Sequence, residues 1–434
     1  MNFRPELSWE FLSADEIEAR TLRALRNHIK HLKEASAYYR DVLWDISSDD
    51  IKTIEDFQKL KLTSREILSD NQSRFTTAGQ SQIIETVLTS GTSGNPLVFP
   101  FTANDLDRLA FNEALSFHGA GISSEDRVQI MVNLDRLSFA GTAYYRGLTL
   151  LGCNTMRVGV LPSDMHRYCF YLLKPTVAIA APSFLKKLAL DLQKHQSDPE
   201  KSSLKRIICV GESIRDSEME LNSAGKAVAQ LFDAEVFSSY TSTELSVSYC
   251  ECQAHQGGHA HPELVYTEII DEQGNALPEG QPGELVATPF GVEGLPLLRY
   301  KTGDITFKIN KPCSCGRNSL RIGPILGKTN QLIKYRGTAI YPLTITNALD
   351  ELDEINDYVL VVENDDSTSD HVAIHIATTP ASVEKIANHL RAVARVNFPI
   401  LVSNLPTIQS MRGSSGKKTR ILDWRKKSSI APAH

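Results

Sequence analysis

Short apolar runs separated by longer segments of helical character fill the chain from about residue 80 to residue 240. The clearest runs are residues 85–89, 128–132, 177–181, 206–210 and 235–239. Strands that alternate with helices along a chain are typical of a sheet packed with helices. The alternation therefore predicts an α/β fold for this part of the protein.

The two ends of the chain have different textures. Ser13 and Asp15 precede apolar residues at helical spacing, which predicts a helix over residues 14–43. After Thr267 the pattern becomes more β-like, with a Pro-Gly turn at 282–283 and a strand at 284–288. Beyond about residue 328 we expect a smaller unit with helices over 343–353 and 381–396 and strands over 357–363 and 371–378. Residues 409–427 are rich in Ser, Gly, Lys and Arg and are expected to form a loose tail.

The composition limits the class of protein. Hydrophobic residues make up 41% of the 434 residues and the net charge is −6, which excludes a disordered chain and argues against a protein that mainly binds nucleic acid. No apolar run approaches the roughly 18 residues of a membrane span. Residues 1–11 lack the basic-then-apolar order of a signal peptide. We therefore expect a cytoplasmic protein with no membrane segment and no nucleic-acid partner.

A glycine-rich loop gives the strongest local signal. Residues 89–96 read Thr-Ser-Gly-Thr-Ser-Gly-Asn-Pro and directly follow an apolar run. Successive backbone N–H groups in such a loop form a concavity that binds anions, and the hydroxyls add further donors. The loop is not a Walker motif, because no Gly-Lys-Ser/Thr follows. The sequence indicates a phosphate-binding loop, and a flexible Ser/Gly turn is the alternative.

Three further stretches lie downstream of the loop: Tyr-Thr-Ser-Thr-Glu at 240–244, Leu-Arg-Tyr-Lys-Thr-Gly-Asp at 298–304 and Gly-Lys-Lys-Thr-Arg at 416–420. In this order and spacing, the four stretches resemble the adenylate-forming enzyme superfamily of acyl-CoA synthetases and adenylation domains, in particular its phenylacetate-CoA ligase-like branch. The resemblance covers nearly the whole chain, and further stretches that support it include residues 62–66, 181–183 and 211–212. It implies a large N-terminal α/β domain of β-sheets and helices over residues 1–329 that binds ATP and the acid. It also implies a small, mobile α+β C-terminal domain over residues 330–434 that carries the catalytic lysine.

The resemblance also implies a reaction. Such enzymes join a carboxylic acid, here expected to be an aryl acid, to ATP, which gives an acyl-adenylate and pyrophosphate. The acyl group then passes to the thiol of CoA, so the implied ligands are ATP or AMP, Mg²⁺, CoA and a small carboxylic acid. Three alternatives stay open: an enzyme that loads a carrier protein, one that forms an amide, and a nucleotide-binding homologue that has lost catalysis. A homodimer is also left open.

Position by position, the resemblance assigns a role to each motif. Lys417 would contact the carboxylate and the α-phosphate, Thr243 would bind the α-phosphate, and Glu244 would hold Mg²⁺. The implied nucleotide contacts are Ser90, Gly91, Thr92, Ser93, Gly94, Gly211, Glu212, Tyr240, Asp304 and Arg336, with Tyr240 on adenine and Asp304 on ribose. The implied acid pocket is Phe139, Ala140 and Gly141.

Each role has a plainer alternative. Glu244 would also be favourable at a helix N-terminus, Asp304 is also suited to a turn, and Lys417 is one of several cations in a basic tail. The sequence also departs from the family pattern at the domain junction. Lys328 stands where an arginine is usual, and Asn330 stands at the position of an acidic hinge residue. A further departure is Thr241, which stands where the family usually has glycine after the tyrosine.

The cysteines are unevenly distributed. Four of the seven form two Cys-x-Cys pairs, Cys250 with Cys252 and Cys313 with Cys315, and histidines follow the first pair. Thiolates with a nearby imidazole are typical of a closed structural Zn²⁺ site, and free cysteines in two turns are the alternative. The resemblance selects Cys252, His259, Cys313 and Cys315 as zinc ligands. Three further residues are alternative ligands: Cys250, His255 and His261. The other three cysteines are expected in the core: Cys153, Cys169 and Cys209.

Overall fold

The computed structural model describes residues 3–89, 96–195, 199, 202–336, 338–364, 370–412 and 420–425. The chain divides into two compact units, and each is described by itself. The large unit comprises Met1–Thr302 and Thr306–Ile325, and the small unit comprises Gly303–Ile305 and Leu326–His434. The domain boundary between residues 329 and 330 stays a prediction, whereas the change from one compact unit to the other falls between Ile325 and Leu326.

The helices and strands of the large unit lie in chain order. Its helices are α1 (Ala14–Ala35), α2 (Ala37–Val42), α3 (Ile54–Gln58), α4 (Arg65–Phe75), α5 (Ala103–Gly119), α6 (Ala140–Leu151), α7 (Ser163–Leu173), α8 (Pro182–Lys194) and α9 (Ser223–Phe232). Its strands are β1 (Glu85–Leu88), β2 (Val98–Phe101), β3 (Arg127–Ile130), β4 (Asn154–Arg157), β5 (Val177–Ala180), β6 (Arg206–Val210), β7 (Glu235–Ser242), β8 (Val247–Glu251), β9 (Gly258–His259), β10 (Val265–Ile270), β11 (Gly283–Pro289), β12 (Tyr300–Thr306), β13 (Lys308–Ile309) and β14 (Arg321–Ile322).

A nine-stranded sheet in the order β13-β14-β9-β8-β7-β6-β5-β3-β4 forms the centre of the large unit. The strands from β3 to β7 are parallel, and β8 adds to the sheet in the antiparallel direction. One face carries Phe117, Tyr144 and Leu148, and the other carries helix residues such as Leu185 and Phe232. Because both faces are covered, β5 consists entirely of buried residues and reads in the sequence as an unbroken apolar run. The predicted α/β class is confirmed.

The first long helix differs from its prediction. A capping box between Ser13 and Glu16 starts α1 where the sequence predicts, but the helix ends at Ala35. Ser36 then adopts an extended conformation and its side chain accepts a hydrogen bond from the backbone N–H of Tyr39, which starts α2. The prediction of one helix over residues 14–43 is therefore wrong, because a serine within the apolar pattern caps a second helix.

Two smaller β structures complete the large unit. Strands β10 and β11 pair in the antiparallel direction, and β12 follows β11 in the same sheet. Strands β1 and β2 form an antiparallel hairpin on either side of the glycine-rich loop. Residues 90–95 of that loop lie outside the described residues.

The small unit has a four-stranded sheet in the order β20-β19-β18-β21. Its elements are β15 (Gly327–Lys328), β16 (Ile333–Tyr335), β17 (Thr338–Ile340), α10 (Pro342–Asp350), β18 (Asp357–Asn364), β19 (Asp370–Ala377), α11 (Val383–Ala394), β20 (Ile400–Val402), α12 (Leu405–Arg412) and β21 (Ile421–Asp423). Helices α10 and α11 pack on one face of the sheet through Ile345 and Leu390, and α12 packs on the other through Ile408.

The prediction of a loose tail over residues 409–427 is wrong for the residues of that range that the structure describes, 409–412 and 420–425. Residues 409–412 belong to α12, and residues 421–423 form β21, which pairs in parallel with β18. Arg425 then bonds the carbonyl oxygen of Leu332 at 2.8 Å and the carboxylate of Asp370 at 2.9 Å. A run of Ser, Gly and Lys lies between these two segments in the sequence, and its composition led to the prediction of a loose tail. Within the described part of the chain, no helix combines the length and apolar character needed to cross a bilayer.

Candidate nucleotide and metal sites

The carboxyl ends of the parallel strands collect several of the predicted site residues. Ser183 follows β5, Gly211 and Glu212 follow β6, and Thr243 and Glu244 follow β7. Ligands of open α/β sheets bind at this edge, because the loops that leave the strands meet there. The fold therefore places these sequence motifs on one edge of the large unit.

Glu244 is held from two sides. Arg65, at the start of α4, lies 3.1 Å from one carboxylate oxygen, and the hydroxyl of Ser242 donates to the other at 2.9 Å. The second guanidinium nitrogen of Arg65 lies 3.4 Å from the hydroxyl of Thr89, the last described residue before the glycine-rich loop. Thr89 and Leu97 are tied to each other by two hydrogen bonds, which close the base of that loop. Arg65 thus links the predicted Mg²⁺ ligand to the predicted phosphate loop.

Sequence reasoning gave Arg65 no role. Its position depends on Thr63, whose backbone forms a β-bridge with Tyr300 and whose hydroxyl bonds the hydroxyl of Tyr39 at 3.0 Å. Burial, together with the nearby carboxylate of Glu244, raises the pKa of Tyr300, so this phenol stays neutral beside the site. The only sequence signal was that residues 62–66 form one of the stretches on which the family resemblance rests.

Glu212 and Ser183 join two motifs that are far apart in the sequence. The carboxylate of Glu212 accepts a hydrogen bond from the backbone N–H of Ser183 at 3.0 Å and a second one from its hydroxyl. Ser183 lies in the first turn of α8, where a carboxylate is favourable. Gly211 has a φ of +78°, and a Cβ added there would meet no atom within 4 Å. The segment is therefore a left-handed turn with open space on one side, as a nucleotide-binding loop requires.

Tyr240 lies in β7 opposite Tyr249 of β8, and their ring centroids are 6.0 Å apart. The next residue, Thr241, stands where the family usually has glycine. Its hydroxyl lies 3.2 Å from that of Tyr144, which is fully buried in α6. The departure from glycine thus provides the partner for a buried phenol.

The predicted acid-pocket residues lie at the start of α6. Phe139 is buried and stacks on Phe101, with ring centroids 5.7 Å apart. Gly141 lies against backbone, because a Cβ added to it would be 2.2 Å from the carbonyl oxygen of Asn133. Phe139, Ala140 and Gly141 therefore form a closely packed corner, and their contact with an acid stays a prediction.

Asp304 lies in the part of β12, residues 303–305, that belongs to the small unit. It pairs directly with Lys328 of β15, and the ammonium lies 2.5 Å from the carboxylate. The lysine that replaces the family's arginine thus bonds the predicted ribose ligand. Arg336 has a φ of +50° and lies over the ring of Tyr335 at 5.2 Å. Ser90, Gly91, Thr92, Ser93, Gly94 and Lys417 lie outside the described residues, so their roles stay predictions.

The four predicted zinc ligands come together in the large unit. The ligand atoms of Cys252, His259, Cys313 and Cys315 all lie within 4.8 Å of one another. The sulfurs of Cys252 and Cys313 are 3.6 Å apart, and Nε2 of His259 is 3.6 Å from the sulfur of Cys315. Four ligands around Zn²⁺ with Zn–S bonds of about 2.3 Å would lie about 3.8 Å apart, so the donor set and its spacing fit this ion.

Local structure explains this convergence. Cys252 follows β8, His259 lies in β9, and the tight turn at Cys313–Gly316 joins β13 to β14. Because β9 lies between β8 and β14, the three segments meet at one end of the sheet. Contacts with Cys252, His259 and Arg317 lower the pKa of Cys315, whereas the hydrogen bond to Cys315 raises the pKa of Cys252, so one thiol of this pair ionises before the other.

The reserve ligands have other partners. His255 bonds Glu235 at 2.9 Å, Nε2 of His261 lies 2.9 Å from the hydroxyl of Ser116, and Cys250 is buried against Phe237 and its neighbours in the sheet. All three remaining cysteines were expected in the core. Cys153 and Cys209 are buried as expected, whereas Cys169 in α7 is only half-buried.

Glu113 is a buried acid that the sequence reasoning missed. It lies in α5, is completely excluded from solvent, and neither of its carboxyl oxygens has a hydrogen-bond partner among the described residues. Removal from water raises the pKa of Glu113 to about 8, and the nearby Ser248 offsets only part of this effect. Burial therefore favours the neutral form of this side chain near pH 7.

Comparison with known proteins assigns the family. The AMP-binding enzyme family matches residues 21–292. The chain is 26% identical to the phenylacetate-coenzyme A ligase of Thermus thermophilus, with 98% of this chain and 100% of that one covered, and 22% identical to the Escherichia coli phenylacetate-coenzyme A ligase, with 96% and 97% covered. A crystal structure of 2-hydroxyisobutyryl-CoA ligase in complex with R3-HIB-AMP has a TM-score of 0.82 at 20% identity, and covers 96% of this chain and 92% of that one. The predicted resemblance to adenylate-forming enzymes of the phenylacetate-CoA ligase-like branch is confirmed, and the chain belongs to the AMP-binding enzyme family.

Proposed function

We propose that the protein is an AMP-forming acid–thiol ligase. It would activate a carboxylic acid with ATP to an acyl-adenylate and transfer the acyl group to the thiol of CoA. The observation that carries the proposal is the end-to-end match to the Thermus thermophilus phenylacetate-coenzyme A ligase, because both compact units have counterparts in that enzyme. An aryl acid is the proposed substrate class, and a homodimer and a cytoplasmic location stay predictions.

The main barrier to the first step is repulsion between a carboxylate and a triphosphate, so catalysis rests on positioning and on neutralisation of charge. The carboxylate of Glu244 would hold Mg²⁺, an ion that prefers oxygen ligands. A carboxylate has about four lone pairs, so Glu244 can bind the metal and still accept hydrogen bonds from Arg65 and Ser242. Thr243, Tyr240 and the glycine-rich loop would bind the α-phosphate, the adenine and the outer phosphates.

The proposal is tested with a panel of aryl acids. Each acid is assayed first for ATP–pyrophosphate exchange and then for thioester formation with CoA. We expect exchange with at least one acid and a CoA thioester as product, and we expect Glu244→Gln to abolish both. Exchange without a thioester would favour loading of a carrier protein or formation of an amide. No exchange with any acid would favour a nucleotide-binding homologue without catalysis.

We also propose that Cys252, His259, Cys313 and Cys315 bind one structural Zn²⁺. The ion would cross-link the segment after β8 to the turn between β13 and β14, with no part in the reaction itself. Closed sites of three thiolates and one imidazole are a common structural zinc type. Elemental analysis should find about one zinc per chain. The double variant Cys313→Ser/Cys315→Ser should lose the metal and unfold at a lower temperature, while Cys169→Ser should keep both properties.

A further inference from the structure

An acidic side chain near the start of the chain lies buried beside the metal cluster. Glu10 is completely excluded from solvent, although it belongs to a short 3₁₀ turn, Trp9–Phe11, in which Phe11 is exposed. A charged group is expensive to bury unless it is paired and hydrogen-bonded. The contacts of Glu10 therefore indicate why the fold keeps a carboxylate at this place.

The first contact leads to His259. Nδ1 of His259 lies 3.0 Å from the hydroxyl of Ser319, and that hydroxyl lies 3.4 Å from Oε1 of Glu10. Nε2, the other ring nitrogen, faces the sulfur of Cys315. Histidine ligands of metals usually have such a partner on the second nitrogen, which fixes the tautomer and the orientation of the ring. Glu10 thus stands one residue behind the imidazole of the cluster.

The second contact leads to Cys315. Nε of Arg317 donates to Oε2 of Glu10 at 3.2 Å, and Nη1 of the same guanidinium lies 3.5 Å from the sulfur of Cys315. A guanidinium held in this way stabilises negative charge on the sulfur. Oε2 of Glu10 therefore acts on Cys315 through Arg317, and Oε1 acts on His259 through Ser319. Oε1 also lies 3.3 Å from Nδ1 of His261, which shares this carboxylate with Ser319.

Backbone contacts fix the acid in this place. The N–H of Asn318 donates to the carbonyl oxygen of Glu10 at 2.7 Å, and the side-chain amide of Asn318 donates to the carbonyl oxygen of Leu12 at 2.9 Å. The guanidinium of Arg317 also lies over the ring of Phe11, 4.9 Å from its centroid. The turn is thus attached to the ligand-bearing segment by main chain, side chain and ring.

We propose that Glu10 is a positioning residue for the metal site, and that binding of the ion and docking of residues 8–12 stabilise each other. The inference rests on the proposed Zn²⁺ site. Its physical basis is that the ion and the carboxylate both hold His259 and Cys315 in one arrangement. When one of them is bound, these two side chains are already fixed, so the other binds at a lower entropic cost. Such a coupling is reciprocal. Loss of the ion should therefore loosen residues 8–12, and loss of the carboxylate should weaken metal binding.

The effect of the carboxylate on metal binding is tested by measuring the Zn²⁺ affinity of the full-length protein in competition with a chromogenic chelator. Glu10→Gln keeps the shape of the side chain but leaves Arg317 without its carboxylate. We expect a loss of affinity on the order of 10–100-fold, the usual effect of removing an outer partner of a metal ligand. Glu6→Gln, which changes an exposed glutamate of the same segment, should bind Zn²⁺ like the unchanged protein.

Two further measurements keep the test decisive if Glu10→Gln folds poorly. Ser319→Ala removes only the path to His259, and we expect it to weaken binding and to shift the absorption bands of the Co²⁺-loaded protein. Amide hydrogen exchange of residues 8–12 in the unchanged protein should quicken when the ion is removed. The inference would be overturned if the unchanged protein binds Zn²⁺ and Glu10→Gln and Ser319→Ala bind it with the same affinity. It would also be overturned if the hydrogen-exchange rate of residues 8–12 is the same with and without the ion. No Zn²⁺ binding by the unchanged protein would instead overturn the proposed metal site.

Discussion

Arg65 shows how a single side chain can connect two predicted motifs. One guanidinium nitrogen contacts the carboxylate of Glu244, and another lies near the hydroxyl of Thr89 at the base of the glycine-rich loop. The guanidinium is therefore placed to balance the charge of Glu244 and to keep the two motifs in register. Its planar fork allows both contacts at once, which an ammonium would not.

Replacement of Arg65 should impair use of ATP more than stability. We expect Arg65→Ala to lower kcat/KM for ATP about 10–100-fold, because a hydrogen bond to a charged group contributes about 1.5–3 kcal/mol. Steady-state kinetics with ATP varied gives the measurement. Arg74→Ala removes an exposed arginine–aspartate pair at the other end of α4 and should change kcat/KM by less than about twofold. Equal effects of the two variants would contradict a specific role for Arg65.

Glu113 should give the protein a distinctive pH dependence. Its pKa is about 8 in the folded chain against an ordinary value of 4.5, so unfolding between these two pH values releases a proton. Stability from this group is therefore highest at low pH, falls as the pH rises through this window, and levels off above about pH 8.

Glu113→Gln removes the charge that the fold must suppress. We expect the variant to be more stable than the unchanged protein by about 1–3 kcal/mol near pH 8.5 and to differ little near pH 5. Urea unfolding at the two pH values gives the comparison, and exposed Glu125 provides the matched variant Glu125→Gln, which should shift neither curve. A stability difference that is the same at both pH values would show that Glu113 is not neutralised by burial.

The four side chains that cluster, Cys252, His259, Cys313 and Cys315, were predicted from the family resemblance, because the residues alone left Cys250, His255 and His261 as alternatives. Arg65 is one of 46 basic residues, and nothing in its neighbours distinguishes it. Glu10 lies 307 positions before its partner Arg317, so no local pattern could reveal that pair.

At the scale of elements, α6 depends on a residue without a side chain. Gly141 lets the first turn of the helix approach the backbone of Asn133, and a Cβ there would be 2.2 Å from its carbonyl oxygen. Backbone cannot move aside as a flexible side chain can. The segment before α6 and the helix itself are therefore held at a spacing that only glycine allows.

Gly141→Ala should destabilise the protein by about 1–3 kcal/mol, the usual cost of overpacking. Gly119→Ala is the matched variant at the end of α5, because its Cβ would lie at ordinary distance, 3.6 Å, from the nearest atom of Arg317. Alanine at that site should be neutral or slightly stabilising. Thermal unfolding of both variants gives the comparison, and similar midpoints would contradict the close approach at Gly141.

The strands of the central sheet could be predicted because burial on both faces leaves an apolar run in the sequence. The predicted run 206–210 is β6, and the runs 177–181 and 235–239 begin where β5 and β7 begin. The strands β4, β9 and β14 escaped prediction, because β4 is an edge strand with no buried residue and β9 and β14 have only two residues each. The break at Ser36 also escaped prediction, because one capping serine outweighs a continuous helical pattern.

At the scale of the whole molecule, the family resemblance predicts that the small domain serves the two half-reactions differently. Lys417 is expected to act only in adenylation, where its charge would offset that of the carboxylate and the α-phosphate. Lys417→Ala should therefore reduce ATP–pyrophosphate exchange by more than about 100-fold, a loss of about 2.7 kcal/mol. Transfer from a supplied acyl-adenylate to CoA should stay within about threefold of the unchanged protein, a difference of about 0.7 kcal/mol.

Lys418 is the natural control for this experiment, because it is the same residue type one position along. Lys418→Ala should leave both half-reactions nearly unchanged. Equal loss of exchange and transfer in Lys417→Ala would contradict the division of labour between the two steps. The overall architecture was accessible from sequence because four ordered motifs identify the family. The acid was not, since the shape of an acid pocket depends on side-chain packing that the sequence does not give.

The attachment of Glu10 to the turn that bears Cys313 and Cys315 has a consequence for biosynthesis. The two partners are 307 residues apart, and a ribosome adds roughly 5–20 residues per second. Glu10 must therefore wait roughly 15–60 seconds before Arg317 is even made. During that time the emerging helices and the parallel strands can fold, but the ligand cluster cannot be completed. Binding of the proposed Zn²⁺ should accordingly be a late event, which follows the synthesis of nearly all of the large unit.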